Sequence, residues 1–369
     1  MSRTFRLRRR FWVWLISVVV VYVQYCYDYN IFGNDFSTIP DILDPANDVV
    51  VGYKPSNSTS NVALCAMVKN ENLYLDEWVD FHIALGFSPI ILYDNSDDFD
   101  LKHGVHSDDG LRSWYDTRAD VQHHLRLIHF PTLHTYQDGP HIPSQEQCIR
   151  KDAANSTFVS LFDADEFLVL KTFDNVIDFV DHHCPKNCGQ LSIGWRIMGI
   201  SGGKEYSPVP LTKRNTNWNP HEAWEGYIKP ILRPSYIAER TGHIHKFNLK
   251  KGEWLDTTGQ PPIFRCQRCY NNRRNPVDVA LFHHYALRSE GEFYYKTCLK
   301  KRYEKDSRCQ LKGYYTLYNG TIFDDAAWEQ LTRMVPKYRR YGKADNVTFE
   351  PSERYITWLK SQEDETATK

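Results

Sequence analysis

Apolar residues in this chain come in short unbroken runs rather than in alternation. VALCAMV (62–68), PIILYD (89–94), VQHHLRLIHF (121–130) and TFVSLFDADEFLVL (157–170) are each read as one strand. The segments between them carry a different period. In LYLDEWVDFHIALG (73–86), Leu73, Leu75, Trp78, Val79, Phe81, His82 and Leu85 fall near helical spacing, and Gly86 follows as a stop. SQEQCIRKDAAN (144–155) opens on a serine cap with amide and acid in its first turn, the start of a second helix. Strands that are apolar throughout and alternate with helices are buried on both faces. The pattern therefore predicts an α/β fold with a mostly parallel sheet flanked by helices. Ligands of such sheets gather beyond the carboxyl ends of the strands. The polar residues that close each strand are then the place to look for chemistry: Lys69-Asn70-Glu71, Asp94-Asn95-Ser96 and Asp163-Ala164-Asp165-Glu166.

The two ends of the chain read differently. Arg3, Arg6, Arg8, Arg9 and Arg10 precede an uncharged apolar stretch, Phe11 to Tyr27, and Asp28, Asp35, Asp41 and Asp44 follow it. That arrangement predicts a short transmembrane signal anchor at 11–27 with residues 1–10 in the cytoplasm. No small-x-small cleavage site follows it, so a cleaved signal peptide is the weaker reading. Residues 28–60, rich in Asp, Asn, Ser and Pro, read as a stem. Residues 61–310 then form the folded domain, and 311–369 a helical extension of it with a charged tail. A luminal setting agrees with four Asn-x-Ser/Thr sequons, at Asn57, Asn155, Asn319 and Asn346. It also agrees with the close spacing of Cys184 with Cys188, Cys266 with Cys269 and Cys298 with Cys309, which suits local disulfides. The competing reading of Cys184, Cys188, Cys266 and Cys269 is a zinc site, helped by His182 and His183.

Composition narrows the function. A net charge of −1 over 369 residues gives a nucleic-acid partner no electrostatic support. Aromatics make up 14%, enough to line a sugar pocket or simply to fill a core. The acidic triplet is the sharpest feature. Three carboxyl groups inside an apolar run need a positive partner. Hard divalent cations, Mn²⁺ or Mg²⁺, prefer carboxylate oxygens and keep open positions for substrate phosphates. The plainer alternative is a strand-end cluster paired with a nearby Lys or Arg. A second Asp-x-Asp, Asp98-Phe99-Asp100, lies in a polar stretch with the look of a loop.

The residues also carry a resemblance. VALCAMVKNENLYLDEWVDFHIALGFSPIILYDNSD followed by FVSLFDADEFLVL is similar to the luminal domain of glycosyltransferases with the GT-A fold, a Rossmann-like sheet. It resembles most closely those of family 92 and related family 2 type enzymes. WRIMGISGG (195–203), IKPILRPS (228–235), HIHKF (243–247) and FHHYALRSEGEFYYK (282–296) continue the match in order. Met198, Ile200 and Arg288 depart from the family pattern of Phe, Ser and Lys.

The resemblance implies a metal-dependent inverting glycosyltransferase. It would move a hexose, galactose by default, from a UDP-sugar donor to a glycan acceptor at the Golgi membrane, as a single-pass type II protein. Asp163 and Asp165 would hold Mn²⁺ (or Mg²⁺) against the donor diphosphate, with His284 completing the site and His245 as second choice. Glu71 and Asp94 would bind the nucleoside beside Lys69, and Lys229 and Arg233 would neutralise phosphate or acceptor charge. An inverting transfer needs a carboxylate base. Of Glu222, Glu225 and Glu239, Glu225 is favoured because Trp224 and Tyr227 flank it. Gly199, Gly202 and Gly203 would let the backbone pass close to the sugar. Two other functions compete. Phosphatases of the haloacid dehalogenase type also place Asp-x-Asp after a strand, but follow it with Gly-Thr where this chain has Glu166-Phe167. A non-catalytic, membrane-anchored carbohydrate-binding or scaffold protein is the alternative from outside enzymology.

Overall fold

The computed structural model describes residues 51–52, 61–69, 71–96, 111–130, 141–201, 203, 206–218, 226–264, 270–294, 320 and 322–343. The predicted membrane span, the stem except Val51-Gly52 (which instead pair with a strand of the main sheet), Asp98-Phe99-Asp100, the sequons at Asn57, Asn319 and Asn346, and the cysteines from Cys266 onward lie outside them. Among the described residues no helix is long and apolar enough to cross a membrane.

The first elements follow the sequence pattern closely. A two-residue strand β1 (Val51–Gly52) precedes β2 (Val62–Val68), α1 (Asn72–Ala84), β3 (Ile90–Asp94), α2 (Leu111–Asp116), β4 (Leu125–His129) and α3 (His141–Gln147). Helix α1 stops where expected, because Gly86 adopts φ +96° just past its end, a conformation that costs a residue with a side chain. The run 121–130 is a strand only in its second half, since a tight turn at Gln122–His124 takes the first. The predicted helix 144–155 begins three residues early and loosens into a wide turn over Cys148–Asp152.

The main correction concerns TFVSLFDADEFLVL. It forms two strands, β5 (Phe158–Leu161) and β6 (Glu166–Leu170), that lie far apart in the same sheet. After them come α4 (Val176–His183), β7 (Cys188–Ile197), α5 (Leu211–Arg214), β8 (Asn217–Trp218), β9 (Ile228–Leu232), β10 (Ile237–His243), β11 (Lys246–Leu249), β12 (Glu253–Asp256), β13 (Ala280–His284), α6 (Glu290–Tyr294), β14 (Ile322–Phe323) and α7 (Ala326–Met334). Helix α4 is capped by Asn175, whose side chain accepts from the Asp178 amide.

The main sheet runs β1-β4-β3-β2-β5-β9-β7-β13-β6, with β12 joined to β7. The pairs β4-β3, β3-β2 and β2-β5 are parallel, as the unbroken apolar runs imply. Beyond β5 the sheet becomes mixed. Strand β9 is antiparallel to both β5 and β7, β13 is parallel to β7, and β6 is antiparallel to β13. The expected parallel order thus holds from β4 to β5 and again where β12 and β13 flank β7, while β1, β9 and β6 are antiparallel to their neighbours.

Both faces are covered. Val62, Leu64, Ala66 and Val68 of β2 point into a core with Trp78 and Phe81 of α1, Phe179 of α4 and Trp328 and Leu331 of α7. Ala63 and Cys65 point into a second cluster with Cys148, Ile149, Ile237 and Phe247. This alternation on one strand is why β2 has no polar side. Two disulfides are present. Cys184–Cys188 matches the expected local pair and removes both thiols from any zinc site, which corrects the zinc reading. Cys65–Cys148 joins β2 to the helix beneath it across 83 residues, a pairing that spacing alone does not suggest.

Candidate functional site

Strand directions decide which predicted residues can meet. Strands β2, β3 and β5 end on one rim, which carries Lys69 and Glu71 after β2, Asp94 at the end of β3 and Asp163 to Asp165 after β5. Because β9 runs the other way, it starts on that rim with Lys229 and leaves it by Arg233. Strand β13 ends there with His284, whose register partner across the pair is Glu166 at the start of β6. The acidic triplet is therefore a turn that carries the chain from the parallel half of the sheet to its far edge.

Lys229 is the cation that meets this turn. Only 1% exposed, its ammonium donates to Asp163 Oδ2 at 2.9 Å and pairs with Glu166 Oε2 at 3.0 Å. Desolvation opposes the charge of Asp163, but the Lys229 ammonium more than offsets it and holds the carboxyl below its usual range. Glu166 is wholly buried. Desolvation raises its carboxyl to about 7 in spite of Lys229. Its Oε2 also accepts the Asp163 amide at 3.0 Å, and Trp78 Nε1 donates to its carbonyl at 2.9 Å. Glu166 thus anchors the strand start through a hydrogen bond and an ion pair, as its odd position in the triplet suggests.

Asp165 faces a different partner. Its carboxylate lies 1% exposed, with Oδ1 3.4 Å from His284 Nε2 and Oδ2 3.9 Å from the Arg288 guanidinium. His284 stacks on Trp195 at 4.3 Å, which fixes the imidazole plane, and its Nδ1 lies 4.0 Å from Glu166 Oε1. Arg288, at φ +57°, donates to Glu71 Oε2 at 2.5 Å and covers the Tyr74 ring at 3.7 Å. Its neighbour in the tandem, His283, turns to the other face of the strand, where its Nε2 lies 3.3 Å from Asp324, a carboxylate also held by Arg196. Arg288 as an organiser of Glu71 and Asp165 and Trp195 as a platform for His284 are roles that sequence reasoning missed. The unusual pairing of a large cation with a left-handed backbone has no sequence signal.

The remaining predicted residues divide. Asp94 shares the rim, but its carboxylate is taken by the Ser96 amide and hydroxyl at 2.9 and 2.7 Å and by the Leu111 amide at 3.0 Å, so it ties down its own loop. Arg233 is corrected. It sits at the opposite rim, its guanidinium over Phe158 at 4.1 Å and donating to the carbonyls of Cys184 and Cys188. The antiparallel course of β9 is the reason. His245 donates from Nδ1 to the Ile228 carbonyl at 2.6 Å, and desolvation followed by Lys229 keeps it well below the usual imidazole range. The Gly203 amide closes a turn on the Ile200 carbonyl, while the Gly199 amide donates to the Asn217 carbonyl at 2.6 Å. Glu239 is exposed on β10. Glu225, Glu222, Trp224 and Gly202 lie outside the described residues.

A divalent ion can be tested against this donor set. Among the described residues no group of three or more His, Cys, Asp or Glu side chains is arranged to hold a metal. Asp165 and His284, however, present one oxygen and one nitrogen 3.4 Å apart. Two adjacent ligands of an octahedral ion with bonds of roughly 2.1 Å stand about 3 Å apart. The pair thus fits an open site that a substrate would complete, with Asp163 tied to Lys229 rather than contributing equally. A small cleft beside the turn, about 20 Å³, is walled by Met67, Tyr93, Ser144 and Asp163 among others.

No family model matches the chain. Over 230 residues, 62% of its length, it is 23% identical to a glycosyltransferase family 92 protein of Oryza sativa subsp. japonica. It is 23% identical over 225 residues to one of Ricinus communis, covering 58% of the chain, and 22% identical over 207 residues to one of Arabidopsis thaliana, covering 54%. The matches take in 36%, 37% and 33% of those proteins, so the chain spans about a third of the length of its relatives. Over more than half of its own length, then, the chain is similar to proteins named as glycosyltransferase family 92.

Proposed function

We propose that the chain is a glycosyltransferase built on a GT-A sheet. It transfers a hexose, with galactose the default, from a UDP-sugar to a glycan acceptor with inversion. Its setting is the Golgi lumen, behind a single-pass type II anchor. The observation that carries the reading is the meeting of Asp165 and His284 on the ligand rim, one from the turn that leads into β6 and the other from the end of the neighbouring strand β13. Lys229 explains Asp163 and Glu166 as an internally neutralised cluster, the plainer alternative for the triplet. Asp165 and His284 stand apart from that cluster, a carboxylate oxygen facing an imidazole nitrogen at 3.4 Å. A carboxylate oxygen and an imidazole nitrogen in that arrangement are ligand types a divalent cation such as Mn²⁺ accepts.

In this reading Asp165 and His284 hold Mn²⁺, which when bound supplies Lewis-acid neutralisation of the departing diphosphate. Lys229 holds Asp163 in its ionised form beside the donor. Arg288 keeps Glu71 in place where β2 ends, and Trp195 keeps the imidazole plane fixed. In the transfer an acceptor hydroxyl oxygen bonds to the anomeric carbon from the face opposite the donor phosphate. The carbon–oxygen bond to UDP breaks with its electron pair, and the hydroxyl proton passes to a carboxylate base, Glu225. The test is UDP release by the purified chain from a panel of UDP-hexoses with Mn²⁺ and released N-glycans. Release should be metal-dependent and fall at least about a hundredfold in Asp165→Ala and His284→Ala. Full activity in excess chelator would remove the metal from the reading, and failure to turn over any donor would remove the transfer.

A further inference from the structure

Beside Tyr74 the fold forms a second, open cavity of about 320 Å³, walled by Tyr74, Tyr206, Val209, Arg214, Tyr338 and Tyr341, among others. We propose that this cavity is the acceptor subsite and takes one neutral sugar ring of the glycan that receives the hexose. The proposal rests on the transferase reading for its role but on the cavity alone for its ligand.

Size and lining both favour a sugar. The volume is that of a small-ligand cleft. Four tyrosines line it and can present aromatic surface to the C–H face of a pyranose. Tyr206 meets Tyr74 edge-on at 6.5 Å, and Tyr338 and Tyr341 lie near parallel at 6.4 Å, so the walls are aromatic on two sides. Most charges around the cavity are already paired, and Arg340 donates to the Tyr341 hydroxyl at 3.1 Å and lies over the Tyr341 ring at 4.9 Å. Arg214 gives both terminal nitrogens to Glu292 at 2.6 Å, Lys337 pairs with Asp80 at 2.6 Å, and Glu77 accepts from Leu211 and Thr212. One buried donor is left over. Arg214 is 5% exposed, and its Nε finds no hydrogen-bond partner among the described residues. A neutral polyhydroxylic ligand supplies an acceptor to such a group without adding charge.

Position joins the cavity to the reaction. Tyr74 forms its wall and also supports Arg288 at 3.7 Å, and the Arg288 guanidinium lies 3.9 Å from Asp165. The proposal also gives work to the turn Pro336–Tyr341 that follows α7, which supplies the outer wall.

The test uses the full purified chain and N-glycans released from ovalbumin, with saturation-transfer difference NMR as the readout. Wild type should receive saturation on the glycan protons. Tyr206→Ala, which removes a stacking face, and Val209→Trp, which fills the cavity without removing a contact, should each weaken binding about five- to tenfold. Melting curves check that both variants fold. Unchanged binding in both folded variants, or no binding by wild type, overturns the proposal. Cavity-dependent glycan binding without UDP release from any donor would uphold the sugar site and strike only the transfer.

Discussion

Replacing Lys229 with Met should destabilise the protein in a way that depends on pH. The ammonium is 1% exposed and serves two carboxylates that differ in their access to water: the Asp163 side chain is 37% exposed and Glu166 is 0% exposed. Without Lys229, Asp163 can be hydrated, and a pair that exposed is worth about 1 kcal/mol or less. Glu166 cannot be hydrated, and an uncompensated buried charge costs about 3–5 kcal/mol. The fold escapes that cost by keeping Glu166 protonated. In the wild type this carboxyl sits at about 7, above its usual value, so the stability it confers is fully present below the unfolded range and is lost as pH rises through 7. Removing Lys229 removes the largest influence holding that value down and pushes it higher. The folded variant then keeps a proton that its unfolded chain has released. It loses about 1.4 kcal/mol per pH unit beyond 7, where the wild type has levelled off. Urea denaturation followed by tryptophan fluorescence at pH 5.5, 7 and 8.5 measures both curves. The gap should be about 1 kcal/mol at pH 5.5 and about 3 kcal/mol at pH 8.5. Parallel curves, or a variant as stable as wild type at pH 8.5, would refute the assignment of Lys229 as the partner that Glu166 depends on.

Two further outcomes follow from burial. The paired change Cys65→Ala with Cys148→Ala opens a loop of 83 residues and should cost about 4.5 kcal/mol, against about 2 kcal/mol for Cys184→Ala with Cys188→Ala, whose separation is 4. Urea midpoints in the reverse order would contradict it. His82 is wholly buried, donates from Nδ1 to the Trp78 carbonyl at 2.8 Å, and is lowered by desolvation to about 3. Its unfolded form takes up a proton first as pH falls, so it withdraws about 4–5 kcal/mol of stability between pH 6.5 and 3. His82→Phe should flatten that part of the acid denaturation curve.

The parallel half of the fold was legible because its signals are local. Val62–Val68 is apolar throughout, and the helix after it has both a face and a glycine stop. What could not be read was the break inside TFVSLFDADEFLVL. Both β5 and β6 are apolar, and the residues that separate them are the ones that look like a site within a strand. The turn and the candidate site are written in the same three carboxylates. Lys229 and Arg233 show the matching limit. Four residues apart in one apolar run, they fall on opposite rims, and only the antiparallel course of β9, set by partners distant in sequence, decides which one reaches Asp163. Asp165 and His284 could be paired beforehand only through the resemblance. Arg288 and Trp195 had to wait for the geometry.

The tandem His283-His284 carries a further consequence. Consecutive side chains of a strand point to opposite faces, so one imidazole serves Asp324 and the next serves Asp165. The two are chemically identical, and nothing but the alignment of β13 with β6, which sets His284 opposite Glu166, assigns their tasks. A slip of one residue would leave a histidine opposite only one of the two carboxylates, and it would carry Phe282 and its apolar neighbours to the wrong side. Which histidine meets Asp165 is thus enforced by oil, through the apolar residues of the same strand.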